Sequence, residues 1–410
     1  MTLEKKHKIS QQEWMRASFI KKVFTALQGS ISSDEPQALL VGGCVRNVLL
    51  GKPVEDVDIA TPLEPDDVIR ILEKEDIKVI PTGIKHGTLT VVSKGVHFEI
   101  TTLRHDDKTD GRHAEVSFTR DWVEDAKRRD FTLNTLLMDL EGNIYDPLGC
   151  GIEAAQNRQV IFVGEPPLRI AEDYLRILRF FRFSALYADK YDEQGLKACQ
   201  EAADNIKVLS KERITQEFFK IISSDKPHAV LEIMLSHDVL KDLPPKEYEA
   251  QFFEHFCTFQ SRYGLRSSSS RLLVFAGLML RNIKVMNTYL LIPKVFIKDA
   301  QCILGALSLD DLTCDVALHE SLYRFGRSAT AQALIIELAQ DRVMNGYAPT
   351  ALKVIQNWDI PDFPVSGKDL IKRGINPGPE LGQELERLEQ LWIDNGFKID
   401  LSGEELPPKS

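Results

Sequence analysis

Asp56 and Asp58 are the residues whose type and spacing most directly suggest chemistry. They alternate with Val57 and Ile59 in the stretch EDVDIAT. On a strand of period two, both carboxylates leave by one face while the apolar pair packs behind. Two acids about 6–7 Å apart along a strand repel each other. Holding them together suits a cation, and hard oxygen ligands suit Mg²⁺. Just upstream, the apolar run Leu39–Val41 stops at Gly42-Gly43, where glycine lets a backbone turn tightly against a ligand. A turn that can offer N–H groups to phosphate, close in sequence to an acid pair, points to nucleotide chemistry. The competing reading is a surface strand with two solvated acids, and the rest of the chain must decide between them.

A third acid is available. Thr88–Val92 and Val96–Thr102 flank Ser93-Lys94-Gly95 and read as a hairpin. In its second strand Val96, Phe98 and Ile100 share one face, which leaves Glu99 on the other, placed like Asp56 and Asp58. Asp125–Leu140 has apolar residues Phe131, Leu133, Leu136, Leu137 and Leu140, a pattern that predicts one helix with Asp130 and Asn134 on one face at i, i+4. Arg128 and Arg129 at the start of such a helix oppose its dipole, so they are expected to serve a bound anion. Arg104–Glu115 has the composition of a mobile loop, residues 1–30 suggest an amphipathic helix, and Pro65–Glu75 suggests another.

From about residue 165 strand patterns vanish and helices with short loops follow. Glu172–Tyr187 predicts a helix with Asp173 and Arg176 three apart and Arg179 beyond; Lys211–Ile222 repeats the device with Arg213 and Glu217. Taken singly, such pairs are ordinary helix salt bridges worth about 0.2–0.5 kcal/mol each. His237-Asp238 has no second histidine cluster to make a metal site. Between Arg262 and Lys298 lie seven basic residues and no acid. That stretch is either a solvated face or a phosphate contact, for which Arg262, Arg266, Arg271 and Lys284 are the candidates.

The chain has 410 residues, enough for two to four packed units, with 43% hydrophobic and 27% charged residues. A net charge of −10 argues against a globally basic nucleic-acid binder but leaves room for a local basic channel. No apolar run reaches the ~18–20 residues of a membrane span, and the N-terminus lacks a signal-peptide core. Six scattered cysteines with no CxxC pair predict reduced thiols in a cytoplasmic protein. The oligomeric state is not legible.

Taken together, GGCVRN…EDVDIAT, FEITTLR, RRDFTLN, DPLG, EDYLRILRFFRF and KERITQEFFK resemble, in their order, the class II tRNA nucleotidyltransferases: the CCA-adding enzymes and their bacterial poly(A) polymerase relatives. The resemblance covers residues 38–222, and SGKDLIKRGINPGPELG (366–382) is similar to a tail segment of bacterial members. It implies an α+β chain: a polymerase-beta-type nucleotidyltransferase head (1–165), then an all-helical neck (166–225), body (226–345) and tail (346–410). It further implies Asp56 and Asp58 as the catalytic pair holding Mg²⁺, with Glu99 as the additional acid. Gly42, Gly43 and Arg46 would form the triphosphate turn, and Arg128, Asp130 and Asn134 would contact triphosphate and ribose. Asp173 and Arg176 would read the incoming base, with Arg179 beside them. Arg213 and Glu217, together with Arg104 and Asp110 of the polar loop, would assist the switch from C to A.

Two departures are Thr135, where the family has alanine, and His237-Asp238 before Val239-Leu240, where relatives have a Gly-Val-Leu turn. The expected activity is addition of CCA to a tRNA 3′ end from CTP and ATP, without membrane attachment. Poly(A) addition, partial CC or A addition, and an inactive RNA-binding protein are the alternatives. The basic-acidic pattern of Arg104–Arg112 and the acidic C-terminus favour CCA; intact Asp56, Asp58 and Glu99 speak against an inactive protein.

Overall fold

A computed structural model describes residues 3–30, 35–93, 96–109, 114–309 and 311–398. The chain forms two compact units, Met1–Lys220 with Ile233–Lys241, and Ile221–Glu232 with Asp242–Ser410. The first unit carries every strand among the described residues.

Its elements, in chain order, begin β1 (Lys5–Lys8), α1 (Ser18–Gln28), β2 (Leu39–Val41), α2 (Gly43–Leu49), β3 (Asp58–Thr61), α3 (Pro65–Lys74) and β4 (Lys78–Gly83). There follow β5 (Thr88–Ser93), β6 (Val96–Thr102), β7 (Arg104–Thr109), β8 (Ala114–Phe118), α4 (Trp122–Lys127), β9 (Leu137–Met138), β10 (Asn143–Tyr145) and α5 (Gly151–Gln156). Helices α6 (Pro166–Glu172), α7 (Leu175–Tyr187), α8 (Glu193–Glu201) and α9 (Lys211–Ile222) come next.

Eight strands make one mixed sheet in the order β1-β10-β9-β2-β3-β6-β5-β4. Among the described residues its one parallel pair is β3–β6. One face is sealed by α1 and α3: Val23 and Leu27 of α1 and Val68 and Leu72 of α3 pack with Ile59, Leu89, Val91, Phe98 and Ile100. Each such side chain, fully buried, contributes about 1.5–3 kcal/mol relative to exposure. Proline at the first turn of α3, followed by Asp66 and Asp67, starts that helix where dipole and fixed φ favour it.

The structure changes four sequence expectations. Residues 1–30 are not all helix: Lys5–Lys8 pair as an exposed edge strand with β10, held by backbone hydrogen bonds that no apolar period announces. The segment 125–140 is not one helix either. It comprises the end of α4, a 3-10 turn at Thr132–Asn134 and the strand β9. Asp130 offers its carboxylate to the Phe131 N–H at 2.8 Å and to Asn134 Nδ2 at 2.9 Å, a local alternative to the helical ladder. The run Leu136-Leu137-Met138 is wholly buried, as suits a central strand rather than one helix face. Arg104–Glu115 folds as the β7–β8 hairpin instead of a loop, with residues 110–113 outside the described set. Finally, Glu172–Tyr187 breaks at Asp173, whose extended backbone (φ −156°, ψ 103°) separates α6 from α7. The expected hairpin Thr88–Val92 with Val96–Thr102 forms as β5–β6.

The second unit is helical: after α10 (Pro227–Ser236), which straddles the division, come α11 (Ala250–Tyr263), α12 (Ser268–Phe275), α13 (Leu280–Met286), α14 (Lys294–Leu307), α15 (Asp315–Ala339), α16 (Ala348–Asn357), α17 (Gly367–Lys372) and α18 (Pro379–Asp394). Leu370 of α17 and Leu388, Trp392 and Ile393 of α18 form a core with Val365. Among the described residues no helix is long and apolar enough to cross a membrane.

Candidate active site

Gly42 sits between β2 and α2 with φ 70° and ψ −119°, a conformation open to glycine and costly for other residues. A Cβ there would lie 3.5 Å from Arg129 Nη1, so an arginine closes over the turn. Two strands away from β9, Asp58 opens β3 in direct register with Glu99 on β6, and Ile59 with Ile100. Both isoleucines are buried. Alternation therefore sends Asp58 and Glu99 to the opposite face together. Asp56, just before β3, is exposed, as is Glu99, while Asp58 is half-buried.

Burial, then Glu99 and Asp56, push the Asp58 carboxyl up to about 6, against a downward pull from Arg129. Three acids with so little compensating charge suit a cation. Among the described residues no three His, Cys, Asp or Glu side chains are gathered as a metal site. Mg²⁺ is usually held by one or two carboxylates, with water and phosphate completing its shell. Asp56 and Asp58 are the two whose hard carboxylate oxygens would hold it.

The arginines are placed differently from expectation. Arg128 caps the C-terminal end of α4, where positive charge suits the helix dipole, and not the start of a helix, where it would oppose it. Arg128 Nε donates to Asp125 Oδ1 at 2.8 Å, and Arg129 Nε and Nη2 donate to Oδ2 at 3.1 and 2.9 Å. Arg129, expected with Arg128 to serve an anion, is the one beside Gly42 and Asp58. The doubled arginine was the signal, but only the turn after α4 decides which of the two faces the acids.

Arg46 also needs correcting. Only 6% exposed, it donates from Nη1 to Asn134 Oδ1 at 2.6 Å and from Nη2 to Tyr187 Oη at 2.7 Å. Nε and Nη2 both reach Asn47 Oδ1, and the guanidinium stacks 4.0 Å from the Tyr187 ring centroid. Its donors are engaged in bracing α2 against Asn134 and α7, so it underlies the turn instead of reaching for phosphate. Asp130 is likewise tied in: Oδ2 accepts from Arg179 Nε and Nη2 at 2.8 and 2.6 Å. Burial would raise the Asp130 carboxyl, but Arg179 and the Asn134 hydrogen bond outweigh it and hold it below the usual range.

Asp173 and Arg176 come to neighbouring positions but take separate partners. Asp173 Oδ1 accepts from the Leu175 N–H at 3.1 Å and Oδ2 from Arg213 Nη2 at 2.8 Å. Arg176 Nη1 donates to Glu172 Oε2 and to the Arg169 carbonyl, each at 2.7 Å, and Nη2 to the Arg128 carbonyl at 3.2 Å. The expected Arg213–Glu217 pair does not form. Glu217 is buried and accepts from Arg182 at 2.7 Å and Lys220 at 3.0 Å. Burial opposes its ionisation, yet these cations hold its carboxyl low. Asp173 and Arg213 remain the open end of the lattice, with side chains 29% and 38% exposed. Glu172, Arg169 and Arg182 went unread: Arg182 meets Glu217 on α9, while Glu172 lies between Arg169 of its own helix and Arg176 of α7.

Of the switch candidates, Arg104 opens β7, its N–H donating to Asp125 Oδ1 at 3.3 Å; Asp110 lies outside the described residues. Of the basic stretch, Arg262, Arg266 and Lys284 are exposed, with Arg266 paired to Asp225. Arg271 is not available to RNA. It is 1% exposed and donates to Gln260 Oε1 and to the carbonyls of Ile222 and Ser224, so its charge serves the interior of the second unit. His237 caps its own helix, donating from Nδ1 to the Ile233 carbonyl at 2.9 Å, which leaves the His-Asp pair a local structural feature.

Comparison with known proteins adds three findings. Residues 38–161 match the family described as the poly A polymerase head domain, and residues 190–247 match one described as a probable RNA and SrmB binding site of polymerase A. The chain is 32% identical over 381 residues to the mitochondrial CCA tRNA nucleotidyltransferase 1 of Mus musculus, covering 90% of this chain and 86% of that protein. It is 33% identical to the CCA-adding enzyme of Lactococcus lactis subsp. lactis, covering 88% and 90%. The crystal structure of the Bacillus stearothermophilus CCA-adding enzyme in complex with CTP superposes with a TM-score of 0.75 at 28% identity, covering 91% of this chain and 92% of that one.

Proposed function

The chain belongs to the tRNA nucleotidyltransferase and poly(A) polymerase family, and on that premise we propose that it adds CCA to tRNA 3′ ends from CTP and ATP, releasing pyrophosphate. The observation that carries nucleotidyl transfer is the Asp58–Glu99 register beside Asp56, with Asp58 raised to about 6 and Arg129 over the glycine turn. The relatives named for CCA addition, similar along about nine-tenths of the chain, support the product.

In this reading Asp56 and Asp58 hold Mg²⁺, which when bound activates the RNA 3′-hydroxyl and offsets charge on the triphosphate. The N–H groups after Gly42 and the Arg129 guanidinium receive the triphosphate, with Arg128 alongside. Asp130 and Asn134, fixed by Arg179 and Arg46, form a rigid floor for the ribose. Glu99 keeps the local field negative, which favours a bound cation there. Asp173 accepts from an exocyclic amine and Arg176 donates to the adjacent acceptor, a polarity that cytosine and adenine share. To do so Asp173 exchanges Arg213, and Arg176 exchanges Glu172, for the base, so reading requires unlocking the lattice.

The head, neck, body and tail divide at residues 165, 225 and 345 in this proposal, with RNA contact falling to exposed Arg262, Arg266 and Lys284. Six cysteines without disulfides suit a reducing compartment, here the cytoplasm. The second reading is poly(A) addition, which the head-domain match also favours. A tRNA ending before CCA, offered CTP and ATP separately and together with Mg²⁺, decides between them. CC from CTP alone and CCA from both are expected; AMP tails on unrelated transcripts, or arrest after CC with ATP present, overturn the proposal.

A further inference from the structure

Asp125 joins three parts of the head at one buried carboxylate, 3% exposed. Both oxygens are in use. Oδ1 accepts from Arg128 Nε at 2.8 Å and from the Arg104 backbone N–H at 3.3 Å; Oδ2 accepts from Arg129 Nε and Nη2 at 3.1 and 2.9 Å. The far end of Arg129 lies against Gly42 and lowers Asp58. Arg104 is the first residue of β7, the strand that pairs with β8 in the two-stranded hairpin, and α4 packs on that strand. One rigid group thus touches the phosphate-side arginines and the root of the hairpin.

We infer that Asp125 is a positioning residue for nucleotidyl transfer: it sets Arg129 over the glycine turn and couples that setting to the placement of the β7–β8 hairpin. The inference rests on the functional reading above and extends it. A carboxylate that accepts two N–H bonds from one guanidinium on a single oxygen confines both the direction and the plane of that guanidinium. The two oxygens cannot move independently. A shift of the hairpin root pulls on Oδ1 through the Arg104 amide, and any rotation that answers it displaces Oδ2 and with it Arg129. An ion pair serving stability alone would need neither the hairpin amide nor an arginine whose other end faces the acids. Buried bonds of this kind are also little screened by salt, so the setting persists at cellular ionic strength.

The test is steady-state kinetics of the full chain on tRNA with CTP, paired with equilibrium binding of CTP and with thermal melting. Asp125→Asn keeps size and one acceptor oxygen. It is expected to raise KM and Kd for CTP about tenfold, the scale of a lost charge-assisted bond, with kcat changed by less than about threefold. Adding Asp125→Asn to Arg129→Lys should then cost little more than Arg129→Lys alone. Arg104→Pro, which removes the donated amide at a strand's first residue where proline is tolerated, should raise KM more than Arg104→Ala does. Unchanged KM with lower kcat and melting temperature, an additive double mutant, or equal effects of Arg104→Pro and Arg104→Ala would each reduce Asp125 to a structural residue. If the wild-type chain adds only AMP, the CCA reading fails while the same cycle, run with ATP, still decides the role of Asp125.

Discussion

The acid face of the sheet and the arginine–carboxylate lattice of the helices handle charge in opposite ways. Asp56, Asp58 and Glu99 stand together with Arg129 as the cation that moderates Asp58, whose carboxyl is pushed up to about 6. Asp125, Asp130 and Glu217 are more deeply buried, yet paired arginines and Lys220 hold all three low. The first region leaves charge to be matched by what binds; the second satisfies its charge internally and so fixes geometry. A nucleotidyltransferase needs both, because the metal and triphosphate arrive with the substrate while the floor beneath them must already be in place.

The largest break of that contrast is at the acid face itself. Asp58→Asn keeps the fold and removes one of two expected metal ligands, so transfer should fall by about 10³-fold or more, read as CMP incorporation into a tRNA lacking CCA. Activity within tenfold of wild type would remove Asp58 from catalysis. In the lattice, the equivalent change should act on folding. Asp130→Asn removes the charged acceptor of the Arg179 fork and leaves Glu217, 3.8 Å away, as its remaining counter-charge; it is expected to cost about 2 kcal/mol of stability, measured by denaturant unfolding. A cost near zero would mean that solvent already screens Arg179 and that the lattice does not brace the turn.

The two regions should also respond to pH with opposite sign. Asp58 has a folded pKa of about 6 against an ordinary 3.8, so its contribution is fully present below about pH 4 and is lost as pH rises through 6. The loss amounts to about 3 kcal/mol at most, since each unit is worth about 1.4 kcal/mol. Asp125, Asp130 and Glu217 are lowered, so their contribution is present above the usual carboxylate range and is lost as pH falls below it. Metal-free protein should therefore lose stability between pH 4 and 6 through Asp58, and Asp58→Asn should flatten that slope. Mg²⁺ should restore stability at pH 7. An identical profile for wild type and Asp58→Asn would show that the acids are not coupled as described.

The same contrast explains what was legible in the sequence. Asp58 and Glu99 could be read because a strand's period of two places side chains without knowledge of partners, and because β5–β6 is local; Asp56 precedes β3 and lies outside that period. The lattice could not be read in detail, since charges in a helical pattern look the same whether they meet solvent, each other or a distant element. Arg213 and Glu217 suited each other at i, i+4, yet they choose Asp173 and Arg182 across the fold. Arg271 in a run without acids suggested a surface, yet it hydrogen-bonds buried carbonyls. Apolar spacing at 125–140 fitted a helix until Asp130 captured its own turn. Arg46, adjacent to the glycines, lay where a phosphate ligand would be sought, and only Tyr187, far along the chain, reveals it as a brace.

The smallest expected effect separates reading from bracing within the lattice. Asp173 is at once a partner of Arg213 and the proposed acceptor for the base amine. The Asp173–Arg213 pair is partly exposed, and such pairs contribute only about 0–1 kcal/mol, so Asp173→Ala should leave unfolding midpoints and tRNA affinity nearly unchanged. Discrimination should suffer instead: breaking a bidentate reading of a base edge is worth about 1–3 kcal/mol, enough to let UTP or GTP compete measurably with CTP. Arg213→Ala makes the complementary case, since it removes the brace and keeps the acceptor; it should free Asp173 and loosen discrimination less. If both variants relax choice equally, Asp173 acts by holding Arg213 in place and not by touching the base. If Asp173→Ala abolishes tRNA binding while strict C and A selection survives, then the open end of the lattice faces the RNA, and the templating role passes to another pair.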